Sequence, residues 1–340
     1  MMNVGLIFGG NSYEHNVSVV SAKIISKIIR KNHNLALLFF DYDNNLYLIK
    51  NIEQDDIKKK AIKINLVKGG FKTKFRRYKL DVLFSVMHGA NGEDGLAYSV
   101  ANYYDIPYVG PNHIASGILM DKYYSYLILK AHNYPVIKSA LIEKNALPKD
   151  FSYPVILKPS TLGSSIGIKV IENDDDLKKF DLFEFDDKVI VQKYLHEFRE
   201  FNQAAYLKND EIILSKVEEV FKHDSILSFT DKYLGAKGVE KHHYVNDDIL
   251  IKKISMLTES LYRFFKLSGP VRFDYMLCDK KLYINEVNTT PGSLAYYLFD
   301  MKKELFIDDL IYEALIEKQN KKYLHFESEI LEHYNGLKKG

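Results

Sequence analysis

The chain has 340 residues, 46% of them hydrophobic, and its 47 basic and 45 acidic residues nearly balance. This length is natural for two or three domains, and the mixed charge excludes the strongly basic surface of nucleic-acid-binding proteins. The single cysteine, Cys278, excludes a disulfide framework within the chain, and no apolar run is long enough to cross a bilayer. We therefore expect a cytoplasmic protein that binds neither nucleic acid nor membranes.

The first segment has the pattern of strand, glycine-rich loop and helix, which opens an α/β unit. Residues 4–8 form an apolar strand, residues 9–15 form the loop, and residues 17–29 have helical spacing with Asn16 as the N-cap. The initial MMNVGLIFGG has no basic region and no small-residue cleavage site, so it is interpreted as a strand and not as a signal peptide. The loop lacks the G-x-G-x-x-G spacing of dinucleotide sites.

Glu14 ends this loop, where a carboxylate suits a cationic ligand such as an amine. The alternative is a first-turn residue that the helix dipole favours. The local sequence leaves both interpretations open.

A second candidate site follows the next strands. Residues 35–40 and 81–87 are apolar, and the latter have the composition of a strand buried on both faces. The sequence HGANGEDG then places His88, Glu93 and Asp94 at a carboxyl strand end, where α/β proteins build sites. The alternative is a flexible turn into the helix predicted at 96–104. We expect residues 50–79 to form surface segments without chemistry.

After Pro111 the pattern predicts a helix over 112–133 and strands over 136–142, 153–159 and 168–171. The loop STLGSSIG joins the last two strands and can fold over phosphates, with Lys158 beside it. It is not a P-loop, because no G-K-[ST] ends it and no helix follows. A flexible Gly/Ser hairpin loop is the alternative.

The strand predicted at 188–195 leads into an interdomain connector, a common place for a ligand pocket. Antiparallel strands follow at 198–207 and 211–217, and residues 218–246 have the length of a lid. An amphipathic helix is predicted at 249–266.

The stretch RFDYMLCDKKLYINEVNTTPG predicts a hairpin that carries the acidic site. A three-residue loop at 279–281 would pair Asp274 with Glu286 and Arg272 with Asn288 on one face. The other face would bury a set of mostly apolar side chains, namely Phe273, Tyr275, Leu277, Tyr283 and Val287. A two-residue loop would shift the register and scatter the four polar groups over both faces. Carboxylate and amide oxygens on one face suit Mg²⁺. Helices are predicted beyond the hairpin at 294–316 and 323–334.

Taken together, these motifs resemble the D-alanine–D-alanine ligase family of ATP-grasp enzymes over almost the whole chain. The motifs are GGNSYEHNVSVVSA, HGANGEDG, LKPSTLGSSIG, DKYL, RFDYML and NEVNTTPG, in the order of the family. The resemblance implies an α/β (α+β), three-domain ATP-grasp architecture. It has an N-terminal Rossmann-like parallel sheet (1–111), a central domain (112–192) and a C-terminal domain (193–340) with a lid at about 218–246.

The resemblance also implies site residues. Those for ATP are Lys122 and Lys158 at the phosphates, Ser164 and Ser165 in the covering loop, Lys193, Tyr194 and Leu195 at the adenine, and Glu200 at the ribose. Those for two Mg²⁺ ions, which Mn²⁺ could replace, are Asp274, Glu286 and Asn288. Those for the substrates and catalysis are Glu14 at the ammonium of the first D-alanine, His88 nearby, Ser164, the lid residues Lys232 and Tyr233, and Arg272 with the Gly292 N–H at the oxyanion.

The implied reaction joins two D-alanines through an acyl phosphate, for peptidoglycan precursors, in a homodimer. Three positions depart from the family pattern: Tyr296 and Tyr297 stand where many members have His and Ser, and Gln192 stands where Glu is common. Tyr233 favours a dipeptide product over D-alanyl-D-lactate. The competing hypotheses are a D-alanine–D-lactate or other ATP-grasp ligase, and a non-catalytic nucleotide-binding module.

Overall fold

A computed structural model describes residues 1–54, 56–143, 146–181, 183–221 and 243–320 of the chain. Within these ranges, four β-sheets and seven α-helices are present. None of the helices in the described ranges has both the length and the apolar composition needed to span a membrane.

A six-stranded sheet dominates the N-terminal part. The elements of this part are β1 (Asn3–Gly9), α1 (His15–Ile29), β2 (Asn34–Phe40), β3 (Leu46–Ile49), β4 (Ile62–Lys63), β5 (Asn65–Val67), β6 (Gly70–Lys72), β7 (Arg77–Lys79), β8 (Val82–Ser85), α2 (Leu96–Tyr103) and β9 (Tyr108–Val109). The strand order is β4-β3-β2-β1-β8-β9, and β1 pairs in parallel with both β2 and β8. The predicted N-terminal parallel sheet is confirmed for β2-β1-β8-β9, whereas β3 and β4 extend it in the antiparallel sense. Because β1 and β8 are parallel neighbours, the loops that follow them lie side by side.

Two local predictions in this part are wrong. Helix α1 begins at His15, so Glu14 and not Asn16 occupies the N-cap position. Residues 65–79, predicted to form surface segments, form the three-stranded antiparallel sheet β5-β6-β7, in which Leu66 and Phe71 are buried. This small sheet forms because Phe71 is buried and stacks on Tyr78 with ring centroids 4.8 Å apart.

The central part is an antiparallel sheet with the order β10-β13-β11-β12. Its elements are α3 (His113–Met120), α4 (Lys122–Ala131), β10 (Ser139–Leu141), β11 (Val155–Pro159), β12 (Lys169–Ile171), α5 (Asp174–Lys179) and β13 (Val189–Lys193). The single helix predicted over 112–133 is two helices, because Asp121 is extended and caps the second. The STLGSSIG loop joins antiparallel strands, as predicted.

The C-terminal part contains a sheet with the order β17-β16-β14-β18-β19, and β15 also pairs with β14. Its elements are β14 (Arg199–Lys208), β15 (Glu211–Leu214), β16 (Glu218–Val220), β17 (His243–Tyr244), α6 (Asp248–Phe264), β18 (Val271–Cys278), β19 (Lys281–Asn288), a 3₁₀ segment (Gly292–Leu298) and α7 (Lys303–Asn320). The helix predicted over 294–316 therefore begins only at Lys303, and the helix predicted at 323–334 lies outside the described residues.

One hydrophobic core joins the N-terminal and C-terminal parts. It combines Phe8 and Val82 of the parallel sheet with Tyr206 of β14 and Phe306 and Leu310 of α7. Helix α7 thus holds the two sheets together by burying apolar surface against both. The domain boundaries predicted after residues 111 and 192 remain predictions.

Asp41, just after β2, carries a prediction about acid stability. Its carboxylate accepts hydrogen bonds from the Asn45 backbone N–H at 2.9 Å and from Lys58 Nζ at 2.8 Å. Burial by itself would raise the pKa of Asp41, but the bonds from Lys58 and Asn45 outweigh it and lower that pKa from 3.8 to about 2.

Because folding favours the ionised carboxylate, its stabilisation is complete above the unfolded pKa of 3.8 and is lost as the pH falls toward about 2. We expect Asp41→Asn to lower the free energy of unfolding at neutral pH and to match the wild type near the folded pKa. Urea denaturation of both proteins across this acidic range checks it. A difference in stability that does not change with pH would contradict the prediction.

Candidate active site

The hairpin β18–β19 has the predicted pairing of Asp274 with Glu286, but its turn is shorter than predicted and a β-bulge compensates for the difference. Its turn has two residues, Asp279 and Lys280, both with positive φ (50° and 62°), as tight hairpin turns require. A β-bulge between Asp274 and Tyr275 then shifts the register by one residue. The turn length was therefore predicted wrongly, but Asp274 does pair with Glu286, and the neighbouring polar pair is aligned in the same way.

The bulge also changes the buried face. Tyr275 pairs with Ile284, and both are buried in the core under α6. Tyr283 pairs instead with Met276, so its predicted place on the buried face is wrong. The face opposite the core keeps the polar groups together.

Arg272 and Asp274 form a bidentate ion pair on that face. Arg272 Nε and Nη2 donate to the two carboxylate oxygens, both at 2.7 Å, and the side chains are 19% and 13% exposed. Burial would lower the pKa of Arg272, but the Asp274 carboxylate raises it well above its ordinary value. The predicted oxyanion donor is therefore oriented by a predicted metal ligand.

Tyr297 lies against the same guanidinium. Burial raises the pKa of the Tyr297 phenol, while a hydrogen bond and the charge of Arg272 act in the opposite direction. Tyr297, which stands where many family members have Ser, therefore lies beside Arg272, the predicted oxyanion donor.

A cleft between the central sheet and the β14–β18–β19 sheet gathers all eight residues predicted for the nucleotide. Among the residues that line it are Lys122, Lys158, Ser164, Ser165, Lys193, Tyr194, Leu195, Glu200, Asp274 and Glu286. Lys122 and Lys158 belong to the central part, and Asp274 and Glu286 belong to the β18–β19 hairpin. A lining that combines lysines and carboxylates is suited to a phosphate chain held with a cation.

Lys158 is held at the bottom of this cleft. It is 7% exposed, and its Nζ donates to Gln192 Oε1 at 2.8 Å. Gln192 Nε2 in turn donates to Ser139 Oγ at 3.0 Å. Gln192 stands where Glu is common in the family. Its neutral amide oxygen therefore orients Lys158 by accepting this hydrogen bond.

The STLGSSIG loop borders the cleft and reaches Glu14 on its far side. Ser164 and Ser165 have φ values of 53° and 61°, a left-handed backbone conformation that residues other than glycine rarely adopt. Ser164 Oγ donates a hydrogen bond to Glu14 Oε1, and Lys122 Nζ donates to the Leu162 carbonyl. The loop therefore connects the nucleotide cleft to the N-terminal part.

Glu14 and His88 come together because β1 and β8 are neighbours. They are 6% and 3% exposed. A Cβ atom on Gly89 or Gly163 would lie 3.0 Å or 3.2 Å from Glu14 Oε2, so two loop backbones approach this carboxylate closely. Glu14 is thus buried at a junction of loops, which favours the binding-site interpretation over a helix-dipole role.

His88 belongs to a buried hydrogen-bond network. Its Nε2 lies 2.9 Å from Ser21 Oγ, and its Nδ1 lies 3.4 Å from Glu93 Oε1. Burial raises the pKa of Glu93, and the nearby charges of Glu14 and Glu286 raise it further, against the effect of His88. Three carboxylates are therefore close enough to interact.

Sequence reasoning missed Ser21 and Ser293 in this network. Ser21 Oγ accepts a hydrogen bond from the Ser293 backbone N–H at 3.2 Å, which joins α1 to the 3₁₀ segment. Ser21 lies seven residues, or about two helical turns, after Glu14 and therefore on the same face of α1. This spacing is the sequence signal that could have pointed to Ser21.

Several predicted residues lie outside the cleft lining. Asn288 pairs with Arg272 in the sheet, and a Cβ on Gly292 would meet no heavy atom within 4 Å, so this glycine borders open space. Lys232 and Tyr233 lie outside the described residues. Within the part of the chain that is described, no group of three or more His, Cys, Asp or Glu residues has a geometry that could hold a metal ion.

Comparisons with known proteins agree with this geometry. Residues 3–111 match the family model D-ala D-ala ligase N-terminus, and residues 122–318 match D-ala D-ala ligase C-terminus. The chain is 33% identical to a D-alanine–D-alanine ligase of Campylobacter jejuni, with 95% of this chain and 97% of that protein covered. It is 36% identical to one of Nitratiruptor, with 88% and 90% covered.

A solved structure gives the same result. The crystal structure of D-alanine–D-alanine ligase from Helicobacter pylori superposes with a TM-score of 0.79 at 26% identity, covering 95% of this chain and all of that one. The predicted ATP-grasp fold and the predicted family are both confirmed. The chain belongs to the D-alanine–D-alanine ligase family.

Proposed function

We propose that the protein catalyses the ATP-dependent ligation of two D-alanines to D-alanyl-D-alanine for peptidoglycan precursors, with release of ADP and phosphate. The observation that carries the proposal is the bond between Ser164 and Glu14, because it joins the nucleotide cleft to a buried carboxylate that can hold an amine. Family membership over both parts of the chain supports the same reaction.

In this proposal the cleft binds ATP. Lys122 and Lys158 contact the phosphates, and Ser164 and Ser165 cover them with hydroxyl and N–H donors. The connector that leaves β13, residues 193–195, meets the adenine, and Glu200 meets the ribose. All of these residues line the cleft.

The acidic face of the hairpin fits Mg²⁺ or Mn²⁺. Asp274 and Glu286 are directly paired, and Asn288 pairs with Arg272 two residues further along β19, so the hairpin brings two carboxylates and an amide oxygen together. Hard oxygen ligands of this type suit Mg²⁺ shared with phosphates. We assign these three residues to two ions, which would neutralise phosphate charge when bound.

The chemistry requires an activated carboxylate, because a free carboxylate is a poor electrophile. Glu14 holds the ammonium of the first D-alanine, His88 lies beside it, and transfer of the γ-phosphoryl group gives the acyl phosphate. The amine of the second D-alanine then attacks, and Arg272 with the Gly292 N–H stabilises the oxyanion. The loop around Ser164, together with the lid that carries Lys232 and Tyr233, excludes water from the acyl phosphate.

We assign the recognition of the second substrate to Tyr297. Its phenol is already bonded to Arg272 and can donate toward a substrate carboxylate, as the smaller serine would. We further propose a cytoplasmic homodimer that binds neither nucleic acid nor membranes. The near balance of acidic and basic residues supports the absence of nucleic-acid binding.

A direct assay tests the reaction. With ATP, Mg²⁺ and D-alanine, we expect stoichiometric phosphate and D-alanyl-D-alanine. D-lactate in place of the second D-alanine, compared across pH, separates the dipeptide ligase from a D-alanine–D-lactate ligase. Absence of phosphate release with D-alanine would refute the proposal. Unchanged ATP binding after Asp274→Ala, without turnover in either protein, would indicate a non-catalytic module.

A further inference from the structure

Asp121 separates α3 from α4 and caps the second helix. Its backbone is extended (φ −81°, ψ 106°), and its side chain accepts hydrogen bonds from the backbone N–H groups of Tyr123 and Tyr124 at 3.0 and 3.1 Å. Lys122, assigned above to the ATP phosphates, is therefore the first residue of a capped helix. Capping fixes the direction of the first turn.

The same carboxylate reaches the start of the phosphate-covering loop. Ser160 is fully buried, and its Oγ donates to Asp121 Oδ1 at 2.7 Å. The Lys122 backbone N–H donates to the Ser160 carbonyl at 2.8 Å. The Tyr123 backbone N–H also donates to Ser160 Oγ at 3.2 Å, so three hydrogen bonds join the start of α4 to the first residue of the loop.

A second set of bonds holds the other side of the loop start. Lys188 Nζ donates to Asp121 Oδ2 at 2.6 Å, and the Lys188 carbonyl accepts from the Ser160 N–H at 2.8 Å. Asp186 accepts from both the N–H and the Oγ1 of Thr161, at 2.8 and 2.9 Å. Residues 160 and 161 are therefore fixed, while the cleft-lining serines follow three residues later.

We propose that Asp121 is a positioning residue for nucleotide binding, which sets Lys122 and the start of the 160–167 loop in one fixed geometry at the ATP phosphates. The inference rests on the proposed ATP-dependent function. Asp121 contacts no residue assigned to metal or D-alanine in the described part of the chain, so its effect is directed to the nucleotide. Displacing a phosphate-binding lysine by about 1 Å is enough to reduce turnover strongly.

A simple helix-cap role makes a different prediction, and the chain offers a matched control. Asn112 caps α3 with the same two bonds, to the N–H groups of Ile114 and Ala115, both at 3.0 Å. Among the described residues, the side-chain hydrogen bonds of Asn112 go only to α3. Asn112→Ala therefore removes a cap without touching the loop.

The experiment compares Asp121→Ala, Asp121→Asn and Asn112→Ala in the full chain. We expect Asp121→Ala to raise the KM for ATP, and the Kd for Mg²⁺-ADP measured by calorimetry, by about tenfold or more, with the KM for D-alanine within about twofold. Asn112→Ala should lower the melting temperature by the loss of the cap bonds, without changing either nucleotide constant. Asp121→Asn, which keeps an oxygen for the cap and Ser160, should restore most of the nucleotide affinity.

A second comparison tests the link to the loop. If Ser160 transmits the effect, Ser160→Ala weakens Mg²⁺-ADP binding, and adding it to Asp121→Ala has little further effect. Equal nucleotide affinity in Asp121→Ala and Asn112→Ala would overturn the inference. If the wild type binds Mg²⁺-ADP but forms no dipeptide, the proposed reaction fails, while the same binding comparison still decides the role of Asp121.

Discussion

Replacing Arg272 by alanine is expected to lower kcat by about 10²–10³ and to reduce the free energy of unfolding by about 1–3 kcal/mol. The catalytic loss follows from removing a donor aimed at the developing oxyanion. The stability loss follows from the bidentate pair, because Asp274 is only 13% exposed and would lose both guanidinium hydrogen bonds. Steady-state kinetics and urea denaturation measure the two effects separately.

Arg263 provides the matched control. It pairs with Glu259 at 2.9 Å on the surface of α6, with side chains 58% and 48% exposed. Arg263→Ala should cost no more than about 1 kcal/mol and leave kcat unchanged.

The double variant Arg272→Ala/Asp274→Asn should recover part of the stability, because the neutral amide is less costly to keep partly buried without the guanidinium, while activity stays lost. An Arg272→Ala protein with wild-type kcat would exclude the oxyanion role.

The second prediction concerns Glu14→Gln, which should raise the KM for the first D-alanine by about ten- to a hundredfold and leave the KM for ATP nearly unchanged. The carboxylate is 6% exposed and enclosed by the Gly89 and Gly163 backbones. An ammonium bound there loses its water and depends on a negative partner. The amide keeps the shape of the side chain but not its charge.

D-alanine titrations at saturating ATP, and ATP titrations at saturating D-alanine, measure the two constants. Asp41→Asn is the control, since Asp41 is an equally buried carboxylate of the same part of the chain, paired with Lys58 away from the cleft. It should reduce stability but not D-alanine affinity. A Glu14→Gln enzyme with unchanged D-alanine dependence would remove the ammonium role from Glu14.

Much of the site could be predicted because its residues stand at strand ends. Apolar runs such as 81–87 mark buried strands, and the polar groups that follow them must meet at one edge of a parallel sheet. Glu14 and His88 come together for this reason, because β1 and β8 are parallel neighbours. The ten predicted nucleotide and metal residues that line one cleft belong instead to the antiparallel parts of the fold, and the family resemblance predicted them. The helix break at Asp121 could also have been predicted, since aspartate is a favoured N-cap.

The hairpin shows where such reasoning ends. Alternation along the strands predicted a polar face and a buried face, but the pairing of Asp274 with Glu286 depends on a two-residue turn combined with a bulge. Either feature alone would have placed the two carboxylates on opposite faces. Their combination is chosen by packing, because Tyr275 and Ile284 must both enter the core under α6.

By itself the sequence determined the order of the elements, the residue types at each strand end and the family, because these follow from local periodicity and motif spacing. Only the tertiary structure decided which groups touch. The bond between Glu14 and Ser164 joins residues 150 positions apart. The contact of Tyr297 with Arg272 and the network around Asp121 also cross between elements. Such contacts result from burying several sheets and helices against one another, and no local pattern in the chain encodes them.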